Sequence, residues 1–225
     1  MQPFIFNILS DNFYPILNSR RLCMKKQNIF VDFINIFKNL KADMKMFKKK
    51  DPTASSGWFV FFTSIAYHAL ISYRFAHFFN KHKMKVIGYF IYTFSKIFHH
   101  VDINPSALLE PGIVIDHGFG IVIGETAKVG SGTLIYHGAT LGAKTVTKGK
   151  RHPDIGQNVM IGAGAKVLGP VIIGDESVVG ANSVVLMDIP PKSVAVGIPA
   201  KIKKFNCPSY NFMDMDKKIN NDFVI

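Results

Sequence analysis

A period of six narrows the fold most. Ile103, Leu109, Ile115, Ile121, Ala127, Thr133 and Ala139 follow one another at that spacing, and Ile155, Ile161, Val167, Ile173, Val179 and Val185 resume it after an interruption. Glycine follows the apolar position in IGQNVM, IGAGAK, IGDESV and VGANSV. Fixed-period hexapeptides mark a parallel β-helix, where each apolar residue points into a narrow prism and glycines permit the corners. Three hexapeptides close one coil of 18 residues, so this half of the chain predicts a solenoid of four to five coils. Such a solenoid is stabilised by stacking between coils, since no coil buries its own core. From Ala139 to Ile155 is 16 residues, one hexapeptide and ten more. The ten, within Lys144–Asp154, predict an extruded loop bearing Arg151 and His152, and loops on rigid scaffolds are where function concentrates.

Upstream of Val101 the chain changes character. Phe, Lys, Ile, Asn and Met dominate, and apolar residues recur at three and four spacings, as in Phe30, Phe33, Phe37, Leu40 and Met44. That pattern predicts helices. Lys48-Lys49-Lys50 reads as a solvated helix end, and Asp51-Pro52 as the start of the next helix. The fold class is therefore α+β, with four parts: an extension over 1–28, helices over 29–100, the β-helix over 101–204 and a flexible tail over 205–225. The extension lacks the ordered regions of a secretory signal and is read as lying outside the rest of the pattern, or as a start placed ahead of Met24.

The formal charge of +12 invites a nucleic-acid reading, but it is uneven. Residues 1–102 hold 15 basic and 5 acidic side chains and the remainder 12 and 10, so the half with the candidate chemistry is nearly neutral. No nucleic-acid motif accompanies the basic half. No run reaches the ~20 apolar residues that span a bilayer; Trp58–Phe79 is broken by Tyr67, His68, Arg74 and His77. Two cysteines, Cys23 and Cys207, form neither a disulfide framework nor a thiolate zinc site, and they fit a reducing, cytoplasmic setting. His99 and His100 lack a third ligand at metal spacing, so no metal is expected.

The stretches VDINPSA, IDHGFGIVIGETAKVG, ATLGAK, GKRHPDIGQNVMIGAGAKVLG and VGANSVVLMDIPPKSVAVGIPAK together resemble serine acetyltransferase. DPTASSGWFVFFTSIAYHALISYRFAH is similar to that family's helical region, and the likeness covers about residues 35–204. It implies a left-handed β-helix, the handedness resting on the resemblance alone. It also implies transfer of acetyl from acetyl-CoA to the L-serine hydroxyl, giving O-acetyl-L-serine and CoA, the first step of cysteine biosynthesis.

Serine's hydroxyl needs a base to attack a thioester, and histidine titrates near working pH. His117 is the candidate base, and the resemblance pairs it with Asp102, 15 residues earlier, as a catalytic dyad. By the same resemblance Asp51, Asp116, Arg151 and His152 hold the amino acid: Arg151 offers a fork of donors to a carboxylate and the acidic residues suit an ammonium group. L-cysteine is expected to compete there as a feedback inhibitor. Backbone at Gly142 and Ala143 is expected near the oxyanion and acetyl-CoA, with Ala143 standing where the family has a second glycine. CoA's pantetheine is expected to run past Ala163 and Ala181, 18 residues apart, with Lys201 as a phosphate candidate. Asn104 and Ser64-Ile65-Ala66 depart from the family's pattern, and His137 is read as structural.

The tail ends in Asp222-Phe223-Val224-Ile225, and in the family a terminal isoleucine inserts into O-acetylserine sulfhydrylase, a carboxylate-capture mode of binding. The resemblance further implies a homotrimer or a dimer of trimers. Competing readings are a hexapeptide acetyltransferase for a sugar or antibiotic hydroxyl, which needs neither Arg151 nor Ile225, and a non-catalytic scaffold that docks the sulfhydrylase. A γ-type carbonic anhydrase is a third, but His117, His137 and His152 lack its zinc-ligand spacing.

Overall fold

A computed structural model describes residues 28–50 and 56–204. Four helices come first. In α1 (Ile29–Lys50) Asn28 Oδ1 accepts the Phe30 N–H at 3.0 Å, with Asp32 in the first turn and Lys48, Lys49 and Lys50 in the last, each complementing the helix dipole. The expected helix start at Asp51-Pro52 lies outside the described residues; α2 (Gly57–Thr63) is capped by Ser56, whose Oγ accepts the Phe59 N–H at 3.1 Å. Ser64 ends α2 and caps α3 (Ile65–Lys81), accepting the Tyr67 N–H at 3.2 Å. Ser64-Ile65-Ala66 thus turns the chain without proline or glycine. α4 (Lys85–His99) runs back along α3, and the two meet closely at Gly88, where a Cβ would stand 2.8 Å from Ala76 O.

Polar anchors fasten the helices to the first coil. Asp43 of α1 and Arg74 of α3, both buried, pair through Nε–Oδ2 at 3.1 Å and Nη2–Oδ1 at 3.0 Å. Asp43 Oδ1 also accepts the Gly112 and Ile113 N–H groups at 2.7 and 3.1 Å, while Arg74 donates to Leu109 O and Glu110 O at 2.6 and 2.8 Å. Every partner of this buried pair is therefore on the coil or on its opposite charge, as a charge out of water requires. Tyr73 adds a hydroxyl bond to Ala107 O at 2.7 Å and accepts the Leu109 N–H at 3.1 Å.

Fifteen short strands, among the described residues, form three sheets of five, four and six. All pairs are parallel except the last, where Ala200–Lys204 folds back on Val194–Gly197 and covers the edge. Each face supplies two inward positions, a central Ile, Leu or Val and a second residue two before it, which is smaller in Ala127 and Val129 or Ala165 and Val167 and equal in Ile121 and Ile123. The observed register departs from an unbroken period of six. Ile103 pairs with Ile123, 20 positions on; Leu141 pairs with Val167, 26 on; the next steps are 18, as from Ile155 to Ile173, and the last is 16, from Val179 to Ala195. The face centres are Ile103, Leu109 and Ile115, then Ile123, Val129, Ile135 and Leu141. Ile121, Ala127, Thr133 and Ala139 are the second set, each two residues ahead of a centre. Both sets are buried, so the period runs through a two-residue insertion unseen. Two of the ten residues ascribed to the loop belong to that insertion, leaving eight for residues 143–153.

Candidate active site

The insertion is where His117 sits. Asp116 pairs with Tyr136 at the 20-residue step and Val122 with Thr140 at the 18-residue step, so the extra residues fall between Asp116 and Val122. There the Gly118 N–H closes on Asp116 O at 2.7 Å around His117, whose φ is +60°. A three-residue turn with positive φ at its centre is the uncommon γ form, and strain of this kind gathers at functional sites. Gly118 follows at φ +83°, and a Cβ there would press to 3.2 Å from Ala66 Cβ at the start of α3. The His117 side chain is 71% exposed, its Nε2 lies 3.8 Å from Asp116 Oδ1, and its ring meets the His137 ring edge-on at 5.7 Å.

Asp102, one coil below Val122, is held by α4. The Tyr92 hydroxyl donates to Oδ1, and Lys96 Nζ stands 3.0 Å from Oδ2 and over the Tyr92 ring. Burial, and then the bond to this carboxylate, push the Tyr92 hydroxyl well above its ordinary pKa, keeping it a donor. Among the described residues no hydrogen bond joins Asp102 to His117. The i, i+4 pair Tyr92 and Lys96 carried no signal in the sequence, since α4 is apolar around much of its girth.

Arg151 and His152 stand at a different corner. His117 lies between the third and first sheets, whereas Gly124–Thr126, which grips Arg151-His152, lies between the first and second. Thr126 Oγ1 accepts the N–H groups of Arg151 and His152, each at 3.1 Å, and lies 2.9 Å from His152 Nδ1. Glu125 Oε2 takes Arg151 Nη2 at 2.5 Å. Gly124 leaves room for the imidazole: a Cβ there would lie 2.0 Å from His152 Cδ2. GETA and RHP, 26 residues apart, are one unit. Their residue types were in view, but not this reason for them. Burial, and secondarily Arg151 and Lys150, hold the His152 pKa below its ordinary value, with Glu125 opposing.

Gly142 continues the strand opposite Leu168, and neither it nor Ala143 has positive φ, so alanine at 143 costs the backbone nothing. Ala163 and Ala181 stack at the His137 corner: the Gly164 N–H bonds to His137 O at 2.9 Å and the Asn182 N–H to Ala163 O at 2.8 Å. Asn104 accepts the Ser106 N–H through Oδ1 at 2.9 Å, a local turn bond. Asp51 and Ile225 lie outside the described residues. Lys50, just before Asp51, donates to Gly132 O at 2.5 Å at the remaining corner, and burial brings its pKa down to about 8.

Comparison with known proteins bears on what this arrangement is for. A family model described as bacterial transferase hexapeptide (six repeats) matches residues 152–186. Serine acetyltransferase of Mycobacterium tuberculosis is 41% identical over 170 residues, 76% of this chain and 74% of that one. The Helicobacter pylori serine acetyltransferase is 42% identical over 72% of this chain and 95% of its own. The chain belongs to the serine acetyltransferase family. Solved structures of that family superpose along the solenoid and beyond. The Neisseria gonorrhoeae serine acetyltransferase in complex with serine has TM-score 0.75 at 37% identity, over 77% of this chain and 71% of that one. A serine acetyltransferase complex with cysteine gives 0.76 at 34%, over 78% and 73%. A complex with CoA gives 0.73 at 34%, over 77% and 72%.

Proposed function

We propose that the protein transfers acetyl from acetyl-CoA to the hydroxyl of L-serine, giving O-acetyl-L-serine and CoA, the first step of cysteine biosynthesis. The observation that carries the residue assignment is His117 on its γ-turn: a non-glycine residue at φ +60°, extruded where packing asks for no side chain. Its imidazole takes the serine proton as the oxygen attacks the thioester carbon. The tetrahedral oxyanion collapses, the C–S bond breaks, and the departing CoA sulfur receives the same proton from the imidazolium. Asp102 compensates the imidazolium charge. Tyr92 and Lys96 hold that carboxylate in place.

Arg151 keeps guanidinium donors beyond those given to Glu125 and, at 3.5 Å, to Thr147 O, and these suit the serine carboxylate. Asp51 and Asp116 are assigned to the ammonium group. Backbone at Gly142 and Ala143 is assigned to the oxyanion, and the corner of Ala163 and Ala181 to pantetheine. L-Cysteine, isosteric with serine apart from its sulfur, competes at the same place. The relatives bound to serine, cysteine and CoA support these ligands.

One protomer sets His117 and Arg151-His152 at two different corners of the prism. A closed ring of copies that apposes one corner to another unites them, which favours a trimer. The apolar faces of α2 and α4, with Trp58, Phe62, Val86 and Phe90 exposed, suit pairing of two such trimers. Ile225 is assigned to docking O-acetylserine sulfhydrylase. No helix among the described residues is long and apolar enough to cross a membrane; we place the enzyme in the cytoplasm, in keeping with its two cysteines.

The test is thiol release from acetyl-CoA with L-serine, wild type beside His117→Ala, with L-cysteine in a third arm. Serine-dependent release that falls at least ~100-fold in the variant, and falls with cysteine, is the expected result. No serine-dependent release from folded protein overturns the assignment.

A further inference from the structure

We propose that Thr126 is a positioning residue that fixes His152 as a hydrogen-bond donor through Nε2, so that this imidazole meets the amino-acid substrate at an acceptor oxygen and abstracts no proton. The inference rests on the reading of Arg151 and His152 as the amino-acid site.

Two donors converge on one ring nitrogen. The Thr126 backbone N–H, which can only donate, points at His152 Nδ1 from 3.2 Å. The Thr126 hydroxyl lies 2.9 Å from the same nitrogen. That hydroxyl oxygen already accepts the N–H groups of Arg151 and His152 at 3.1 Å each, so its acceptor sites are filled and its proton is directed to Nδ1. Nδ1 must therefore present a lone pair, and the single proton of a neutral imidazole resides on Nε2. A second proton would set an N–H against the Thr126 N–H.

Nε2 is left free for a ligand. It has no hydrogen-bond partner among the described residues and is not among the atoms sealed from solvent, although the residue as a whole is only 8% exposed. A Cβ at position 124 would stand 2.1 Å from it, so the ring packs against Gly124 and only glycine leaves it this position. A donor N–H beside the Arg151 guanidinium matches a carboxylate or another oxygen carrying lone pairs. A group locked as a donor is a poor base, which leaves proton abstraction to His117.

The full-length protein with 15N-labelled histidine reports the tautomer of each ring through its long-range proton–nitrogen couplings, His152 being assigned by its loss in His152→Asn. The expected result is Nε2–H in the wild type and in both variants, because the backbone N–H of residue 126 remains, with the Nδ1 resonance displaced in Thr126→Val by loss of its second donor and restored in Thr126→Ser. KM for L-serine should rise about 10-fold or more in Thr126→Val with KM for acetyl-CoA unchanged, and recover in Thr126→Ser. Nδ1–H in the wild type overturns the proposal without recourse to any variant, and so does an Nδ1 resonance that stays in place in folded Thr126→Val. An Nδ1 resonance that moves as expected while KM for serine stays fixed keeps the lock and overturns the placement of His152 in the serine site.

Discussion

The solenoid and the helical layer complete themselves by different means. The solenoid buries its central side chains within one chain: Ile135, Leu141, Ile161 and Ile173 are all sealed by the coils above and below. The helices leave Val86 86%, Trp58 75% and Phe90 74% exposed, and hold to the first coil through buried polar groups. Repetition lets each coil specify the next, whereas the helices depend on a few unrepeated anchors and on surfaces this protomer does not cover. The helices nevertheless reach the chemistry, because Tyr92 and Lys96 of α4 hold Asp102.

The largest effect is expected at Arg74, which ties the helices to the first coil. Arg74→Met leaves the Asp43 carboxylate buried without its counter-charge, and a cost of about 3–5 kcal/mol is expected in urea unfolding. Unfolding of the helices ahead of the solenoid, seen as a separate early transition, is the expected form of that loss; a single unshifted transition contradicts it. Ile161→Ala opens a cavity in the prism and should cost about 2–5 kcal/mol, this time in the solenoid transition.

Gly124→Ala sharpens the picture at the site. Its Cβ displaces the His152 ring, and kcat/KM for serine should fall about 100-fold while the unfolding midpoint moves little. On the helical face, Phe90→Glu should abolish pairing of trimers in native mass spectrometry while thiol release stays within about twofold, the small effect of an exposed substitution. Retention of the larger assembly would assign that face to something else.

The mildest effect is of pH. His77, His99 and His152 each have a pKa held below the ordinary histidine value, burial being the main cause. The unfolded chain therefore takes up protons first as pH falls. Stability from these groups is complete above about 6.5 and is lost progressively below it. Urea midpoints should drop between pH 7.5 and 5.5, and His152→Gln should lessen the drop.

The solenoid was legible because its signal is repeated, and one lapse shows the limit of that signal. Ile121 and Ile123 are both buried, so a slip of two residues leaves the period of six intact while moving the face centre. The positive φ at His117 that follows from this slip had no trace in residue types. His117, Arg151 and His152 were in view through the family's motifs. Thr126, Glu125 and Gly124 were visible as a motif but not as the clamp on Arg151-His152, since register across a loop of 26-residue offset sets that contact. Tyr92 and Lys96 were invisible, because only the docking of α4 on the first coil aims them at Asp102.

The most direct test mixes subunits. His117→Ala and Arg151→Ala, each inactive alone in serine-dependent thiol release, are unfolded and refolded together so that mixed rings form. A site shared between corners of neighbouring copies predicts recovery of activity to roughly a quarter of the wild-type level, the statistical share of intact pairs. Mixed trimers that form and stay inactive would contradict the account, placing both groups in one protomer's site or removing one of them from the chemistry.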